Sequence, residues 1–482
     1  MIILYCQNLP PEIRWKRENT IIIGTTPPPG PGTKYKMHEV LPNVMTPIIE
    51  TLLKYNRPPY ALVPTYNNSG GELIQVKIAP VTGDTPARHD MTGFMHHSAN
   101  YFCAFCLCTK DQMDDLQIKD WVMRDGDRVA EQARLWKAAD QDEDERSRLE
   151  KENSVRWSSL YNLAEWDPVS HTILGFMHNW SGILKEHLRT YWGLRRSKKV
   201  DKQLVADQIV DQTEDEEDEI VFEKDIQESG SELDDLLVPL DEHERRYIDR
   251  VSATTLSTVY EETEASDDTP RARHSSPLAQ HPSSQSEDDD IEFFDAATKL
   301  YSLPKANVAA IHDAIAAVGL PSWVGRPLGN IVDPGHGKLK SNDYFVLFTA
   351  ILPLIVPEFF FCSDEPDTTS AHLSCFHDLI VSTNIVSSYQ TSFELANNYM
   401  LAYVRYRRYI GCLYPQWNSV PNHHYAMHNG DIMKFWGPLP CSAEFWGERV
   451  IGLLENTKTN NLFRKSSHWT YYHRNQINGE SR

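Results

Sequence analysis

The chain has 482 residues, of which 68 are acidic and 47 are Lys or Arg, so its formal net charge is −21. Its length exceeds what one hydrophobic core usually supports, and 12 Trp, 21 Tyr and 17 Phe exclude a wholly disordered chain. The longest apolar run, residues 345–357, is interrupted by Pro353 and is shorter than the ~20 residues of a spanning helix. No secretory signal is visible, so neither a membrane protein nor a secreted one is expected.

Four units are predicted along the chain. The first, residues 1–110, begins with strands at 2–5 and 20–23, a helix at 42–55 and a strand at 73–78, which is an α/β pattern. A helical insertion at 111–197 follows, with helices at 111–150 and 172–191. The last unit, 296–482, is mainly helical, with segments at 304–319, 341–361, 384–410 and 443–456.

The third unit, residues 198–295, carries the acidity of the whole chain. Residues 201–295 hold 30 acidic and 7 basic residues, a net charge of −23, whereas the remainder has a net charge of +2. The segment is Ser-rich and poor in apolar residues, and we expect it to be a disordered acidic linker. Because the remainder is near neutral, a nucleic-acid surface is not excluded there.

Two cysteines and two histidines have the spacing of metal ligands. Cys103 and Cys106 form a C-x-x-C pair, and His424 and His428 stand four residues apart, on one face of a helix. Two thiolates and two imidazoles are a ligand set for a tetrahedral structural zinc ion. The alternative is buried free cysteines with packed histidines, and His178 is a further candidate that could replace one of the two.

Two carboxylates are candidates for a divalent cation. Asp84 follows an apolar strand, where a carboxylate can reach a metal at the edge of an α/β sheet, although G-D-T-P is also ordinary turn chemistry. Glu448 lies on an amphipathic helix beside Arg449, and the alternative to a metal ligand is an ordinary surface ion pair.

A lone histidine and a basic loop complete the candidates. His178 lies on an apolar helix, where a satisfied core histidine is the commoner case. The loop containing His336, Lys338 and Lys340 could meet phosphates, but it lacks a Walker pattern, and a solvated turn is its alternative.

Short motifs stand along almost the whole chain outside the acidic segment. They are CQNLPPEIRWKREN (6–19), GDTPAR (83–88), GFMHHS (93–98), YFCAFC (101–106), RWS (156–158), WDPV (166–169), LPSWVG (320–325), HGKLK (336–340), VPNHH (420–424), GERVIG (447–452) and KTNN (458–461). In content and order they resemble fungal transposases of the Plavaka type, relatives of the CACTA elements.

The resemblance implies a ribonuclease-H-like core with a large helical insertion. In that family three carboxylates bind two Mg²⁺ or Mn²⁺ ions, which clamp the attacking and leaving oxygens while DNA is cut at transposon ends. By motif match, Asp84 is the second of these carboxylates and Glu448 the third. The resemblance also implies DNA as partner and a nuclear location.

Two departures from the family pattern lower the expected activity. The first Asp of the family lies on a strand before the segment matched at 6–19, and that strand is expected to be missing. The family's Asp-x-x-His reads Gly175-Phe-Met-His178 here. These departures imply a chain that is incompetent for strand transfer on its own. Two alternatives remain: a co-opted DNA-binding or scaffold protein that keeps basic surface near Arg156, Lys338 and Lys340, or a product that folds poorly.

Overall fold

A computed structural model describes residues 1–24, 37–78, 80–194, 301–329, 331, 339–361 and 366–455. The predicted acidic linker at 198–295 lies outside these residues, as do His336 and Lys338. The described part of the chain is mostly helical, with a few short strands.

The strands are β1 (Ile2–Tyr5), β2 (Thr20–Gly24), β3 (Leu62–Val63) and β4 (Glu72–Leu73). The helices are α1 (Pro11–Arg14), α2 (Met37–Asn56), α3 (Thr85–Thr92), α4 (Gly126–Ala138), α5 (Glu143–Asn153), α6 (Phe176–Glu186), α7 (Lys305–Ala317), α8 (Ser341–Val346), α9 (Leu352–Phe361), α10 (Pro366–Ser387), α11 (Phe393–Leu413), α12 (Pro421–Ala426), α13 (Asn429–Trp436) and α14 (Phe445–Glu455). One π-helical turn, His187–Tyr191, extends α6, and another, Leu347–Ile351, joins α8 to α9. Short 3-10 helices lie at Arg17–Asn19, Lys110–Gln112, Ile118–Asp120, Ser159–Asn162 and Leu439–Ser442.

The two N-terminal strands form an antiparallel pair, with Ile3 opposite Ile22 and Leu4 opposite Ile21. Both were predicted, because β-branched runs bounded by turn formers favour strands. A second pair joins β3 to β4. The described residues thus hold two two-stranded sheets and no larger one, so the α-rich class with a small sheet is shown. The ribonuclease-H-like core stays a prediction.

The strand predicted at 73–78 is wrong beyond Leu73. The Val76 amide donates to the Tyr55 carbonyl at 3.0 Å, and the Asn56 side chain donates to the Val76 carbonyl at 3.2 Å. The backbone of this segment is therefore satisfied by the end of α2 instead of by a neighbouring strand.

A parallel bridge between Val81 and Thr172 brings two distant segments together. The Val81 amide donates to the His171 carbonyl at 2.8 Å, and the Ile173 amide donates to the Val81 carbonyl at 3.1 Å. The start of α3, with Asp84, consequently lies beside the start of α6.

Two long predicted helices are each divided. The one predicted at 111–150 is replaced by two 3-10 turns followed by α4 and α5, which begin at the side-chain caps Asp125 and Asp142. The one predicted at 384–410 is the end of α10 and most of α11. There the Ser392 hydroxyl accepts the Leu395 amide at 3.0 Å and starts a new helix.

The larger hydrophobic core unites residues from three of the predicted units. It contains Phe102 and Cys103, much of α6, and residues of α8 to α13. A smaller core packs α2 against α4 and the segment that ends at Trp166. The Cys-rich loop therefore lies against the C-terminal helices.

Among the described residues, one segment, Ser341–Phe360, is long and apolar enough to cross a membrane. Within it Leu347, Phe348, Ile351 and Leu352 are fully buried in the larger core. A core helix of a folded domain passes the same test of length and composition, and 44% of this segment is buried.

Candidate functional site

The four predicted zinc ligands come together in the core. Cys106 Sγ lies 3.2 Å from His424 Nε2, across 318 residues of sequence, and Cys103 Sγ lies 3.4 Å from His428 Nε2. All four ligand atoms lie within 4.8 Å of one another, and all four residues are buried. The two cysteines and two histidines that the spacing singled out as ligands therefore lie together.

The separations suit a tetrahedral ion. With Zn–S near 2.3 Å and Zn–N near 2.0 Å, a sulfur and a nitrogen on one zinc ion would be roughly 3.5 Å apart. The two Cys–His distances of 3.2 and 3.4 Å are close to that value. The structure therefore shows a buried Cys₂His₂ cluster that could hold a structural metal such as zinc.

A buried arginine shapes the loop that carries the thiols. Arg124 donates to the carbonyls of Cys103 at 2.9 Å, Tyr101 at 3.1 Å and Asn153 at 3.3 Å. An antiparallel bridge between Cys106 and Met123 closes the loop. These bonds hold the loop through its backbone carbonyls.

The histidines are placed by α12 and its junction with α13. His424 lies in α12, and His428 precedes α13 at its N-cap. The Tyr425 hydroxyl donates to the Phe102 carbonyl at 3.2 Å, which ties this junction to the cysteine loop.

Aromatic rings enclose the cluster. Trp121 lies 4.8 Å from the His424 ring, and Phe105 lies 4.8 Å from the His428 ring. Such an apolar shell keeps water out, which favours a structural ion over a catalytic one.

The titrating groups of the cluster act strongly on one another. Burial raises the pKa of Cys103, but a hydrogen bond from Cys106 and the nearby imidazoles outweigh it and hold that pKa well below its usual range. Burial lowers the pKa of His424, yet the Cys103 and Cys108 thiolates raise it to about 9. Negative charge gathered on sulfur beside imidazole is what a cation would neutralise.

Asp84 caps a helix, and its predicted role as a cation ligand stays a prediction. Its Oδ1 accepts the Ala87 amide at 2.9 Å and so caps α3, which is the turn chemistry expected of G-D-T-P. Its charge also acts on His178, one turn into α6.

His178 lies beside Glu448 and is not one of the four clustered Cys and His residues. Its Nε2 is 3.7 Å from Glu448 Oε1. Burial lowers the pKa of His178, but Glu448, Glu444 and Asp84 together raise it above its ordinary value. Two candidates from separate motifs, Asp84 and Glu448, therefore both act on a third, His178.

A fourth residue, Glu444, was not singled out from the sequence. It is 9% exposed, its Oε2 accepts the Met177 amide at 3.1 Å, and its Oε1 has no hydrogen-bond partner. Burial raises its pKa, against the opposing influence of His178 and Arg88. The signal that could have found it is its position four residues before Glu448, at a helix start.

Gly175 leaves the space that Glu444 fills. A Cβ added at Gly175 would lie 1.6 Å from Glu444 Oε1 and 2.3 Å from the Gly83 carbonyl oxygen. The N-cap position of α6 has no side-chain cap of its own, and Glu444 caps the helix from another segment.

The predicted basic surface is only partly available for phosphates. Both oxygens of Glu150 accept from Arg156, at 2.9 and 3.1 Å. Lys340 is exposed just before α8. Of the residues proposed for this surface, Lys340 is the exposed one within the described residues.

The sequence matches no protein-family model and no curated protein.

Proposed function

We propose that this chain is a transposase-derived DNA-binding protein with a ribonuclease-H-like core, held together by a structural zinc ion and located in the nucleus. Asp84 and Glu448 would be two acidic residues of its strand-cleavage site. One observation carries this proposal: the His178 ring lies 3.7 Å from Glu448, and Asp84 acts on the same imidazole, although the family motifs single out the three residues separately.

The zinc ion would have a structural role. Four protein ligands fill a tetrahedral coordination sphere and leave no open position for water or substrate. The ligands join the loop at 103–106 to α12 and α13, so metal binding would add directly to the stability of the fold.

The chemistry expected of the acidic pair is limited. A two-metal site uses carboxylates to hold both ions, and motif matching supplies two of the family's three here. We therefore expect DNA binding without robust strand cleavage. The alternative is a co-opted scaffold with no nuclease activity of any kind.

The proposed DNA partner is tested by binding at several salt concentrations. Anisotropy of a labelled duplex should show affinity that falls steeply with salt, since phosphate contacts release counterions. Lys340→Gln should lower the slope by about 1, whereas Lys305→Gln, an exposed lysine outside the motifs, should not. Absence of binding at low salt would remove the DNA-binding function.

Cleavage is tested separately on transposon-end DNA with Mg²⁺ or Mn²⁺. We expect no more nicking from the wild type than from Asp84→Ala. Robust nicking by the wild type that Asp84→Ala abolishes would replace the inactive reading with an active enzyme.

A further inference from the structure

A groove of about 490 Å³ opens where α9, α10 and α11 meet. Five of the residues that line it have polar or charged side chains, namely Ser374, His377, Asp378, Arg405 and Tyr409. Small-molecule sites occupy roughly 300–1,000 Å³ and combine apolar lining with a few convergent polar groups. None of the five residues belongs to the zinc cluster or to the family motifs, so this groove is separate from both.

A buried acid holds an arginine at the wall of the groove. Asp378 Oδ2 accepts from Arg405 Nε at 3.0 Å, and Asp378 Oδ1 accepts from Arg405 Nη2 at 2.7 Å. The side chain of Asp378 is 4% exposed, whereas that of Arg405 is 50% exposed. Two parallel bonds fix the plane of a guanidinium. Arg405 is therefore held in one orientation while it stays half-exposed.

The bonds to Asp378 use one edge of the Arg405 guanidinium. An arginine carries five N–H donors in a planar fork, and Nε and Nη2 make the two bonds to this acid. The fork matches the geometry of phosphate and carboxylate oxygens, and it stays charged at any ordinary pH. A guanidinium oriented in this way beside a groove is suited to binding an oxyanion.

Three further side chains bring hydrogen-bond donors to the groove. Ser374 and His377 lie one turn apart on α10, and Tyr409 lies one turn after Arg405 on α11. His377 Nδ1 is 3.5 Å from Asp378 Oδ1. Hydroxyl, imidazole and guanidinium groups can all donate to the oxygens of one anion.

The rest of the lining favours a small molecule over a nucleic-acid backbone. Pro357 and Leu373 contribute apolar surface. Among the lining residues that the structure describes, Asp378 is the one acid and Arg405 the one guanidinium, so their charges offset each other. A duplex is bound mainly by cations that neutralise several phosphates. The groove instead combines one anion-binding group with a place for an apolar body.

We propose that this groove binds a small organic molecule that carries a phosphoryl group. Arg405, oriented by Asp378, donates to the phosphoryl oxygens, and Ser374, His377 and Tyr409 supply the remaining donors. The organic part of the ligand lies against the apolar lining. This site depends neither on the zinc ion nor on DNA binding.

The test titrates phenyl phosphate into the full chain and follows binding by ligand-observed NMR, with phenol and benzoate as control ligands. We expect saturable binding of phenyl phosphate, weaker binding of benzoate and none of phenol. Arg405→Lys keeps a cation beside Asp378 but removes the fork, so its Kd should be weaker by about tenfold or more. Arg408→Lys changes an exposed arginine of α11 that does not line the groove, and its Kd should be unchanged.

Two further variants leave the pair of Asp378 and Arg405 intact. His377→Ala and Tyr409→Phe each remove one donor, and each should weaken the Kd about threefold. They decide the matter if Arg405→Lys fails to fold, which its melting temperature would reveal.

Three results would overturn the proposal. Phenyl phosphate that binds no more tightly than phenol or benzoate would remove phosphoryl recognition. A wild-type Kd in Arg405→Lys, or in both His377→Ala and Tyr409→Phe, would place the binding elsewhere. Displacement of bound phenyl phosphate by a short DNA duplex would make the groove part of a nucleic-acid surface.

Discussion

Glu444 occupies the space where a side chain at Gly175 would begin, because an added Cβ would lie 1.6 Å from its Oε1. The carboxylate caps α6 through the Met177 amide, a role that the N-cap residue of a helix usually performs itself. Gly175 thus leaves the space that the Glu444 carboxylate fills. Together they position the start of the helix that carries His178 opposite Glu448.

Gly175→Ala should destabilise the protein by about 2 kcal/mol or more, because overpacking a closed site forces backbone movement. The Glu444 side chain can shift, but the Gly83 carbonyl, 2.3 Å from the added Cβ, belongs to the backbone. Urea unfolding measures the loss. Gly411→Ala, in α11 where nothing lies within 4 Å, is the control and should stabilise by about 0.5–1 kcal/mol. Equal effects at both positions would contradict the packing described.

The stability contributed by His178 should depend on pH. Its folded pKa lies above the ordinary 6.5, since the carboxylates of Glu448, Glu444 and Asp84 outweigh burial. A raised pKa gives stability that is fully present below the unfolded pKa and lost as pH rises through the folded pKa. In acid, the free energy of unfolding of the wild type should exceed that of His178→Gln by up to about 1 kcal/mol. The difference should fall toward zero above neutral pH.

The check on His178 is a series of unfolding curves across this pH range. In a Glu448→Gln background the advantage of wild-type His178 should shrink. A difference between wild type and His178→Gln that stays constant with pH would remove the charge interaction from the account.

The stack of Trp15 on Trp446 should anchor the helix that carries Glu448. The two rings are 5.7 Å apart and nearly parallel, and the Arg449 guanidinium lies 4.7 Å from the Trp446 ring. Trp446→Ala should lower the free energy of unfolding by about 1–3 kcal/mol, and Trp446→Phe by less. Phe435→Ala, at a ring that is 65% exposed, should change it by no more than about 0.5 kcal/mol.

Cys108 should be dispensable for metal binding, although it stands two residues from Cys106. It does not belong to the four residues whose ligand atoms lie within 4.8 Å, although its sulfur acts on His424. Zinc content of Cys108→Ser, measured by mass spectrometry, should equal that of the wild type. Loss of zinc from this variant would mean that Cys108 replaces one of the four.

Local sequence patterns predicted correctly those features that short stretches of sequence determine. The runs at β1 and β2, the apolar face of α2 and the metal-ligand spacing each predicted what the structure contains. The division near Ser392 was missed because one helical periodicity continued across a capping serine. The segment after Leu73 was misread because its backbone partner, the end of α2, cannot be seen in the sequence.

Contacts between segments distant in the sequence could not be predicted from hydrophobic periodicity. The pairing of Cys106 with His424 was a hypothesis from ligand chemistry, because sequence spacing does not show which distant segments come together. Glu444 was overlooked because its burial depends on the absence of a side chain at Gly175, 269 residues earlier. A space left by a glycine in one segment and filled by a side chain from a distant segment leaves no local pattern in the sequence.

The central claim is that a zinc ion joins the cysteine loop to the C-terminal helices. The most direct measurement is the metal content of the purified chain, with Cys106→Ser and His424→Ala as tests and Cys412→Ser, outside the cluster, as control. We expect about one zinc per wild-type or Cys412→Ser chain, and loss of zinc with lower thermal stability in the other two. A wild-type chain without zinc, or stoichiometric zinc retained by both Cys106→Ser and His424→Ala, would contradict the account.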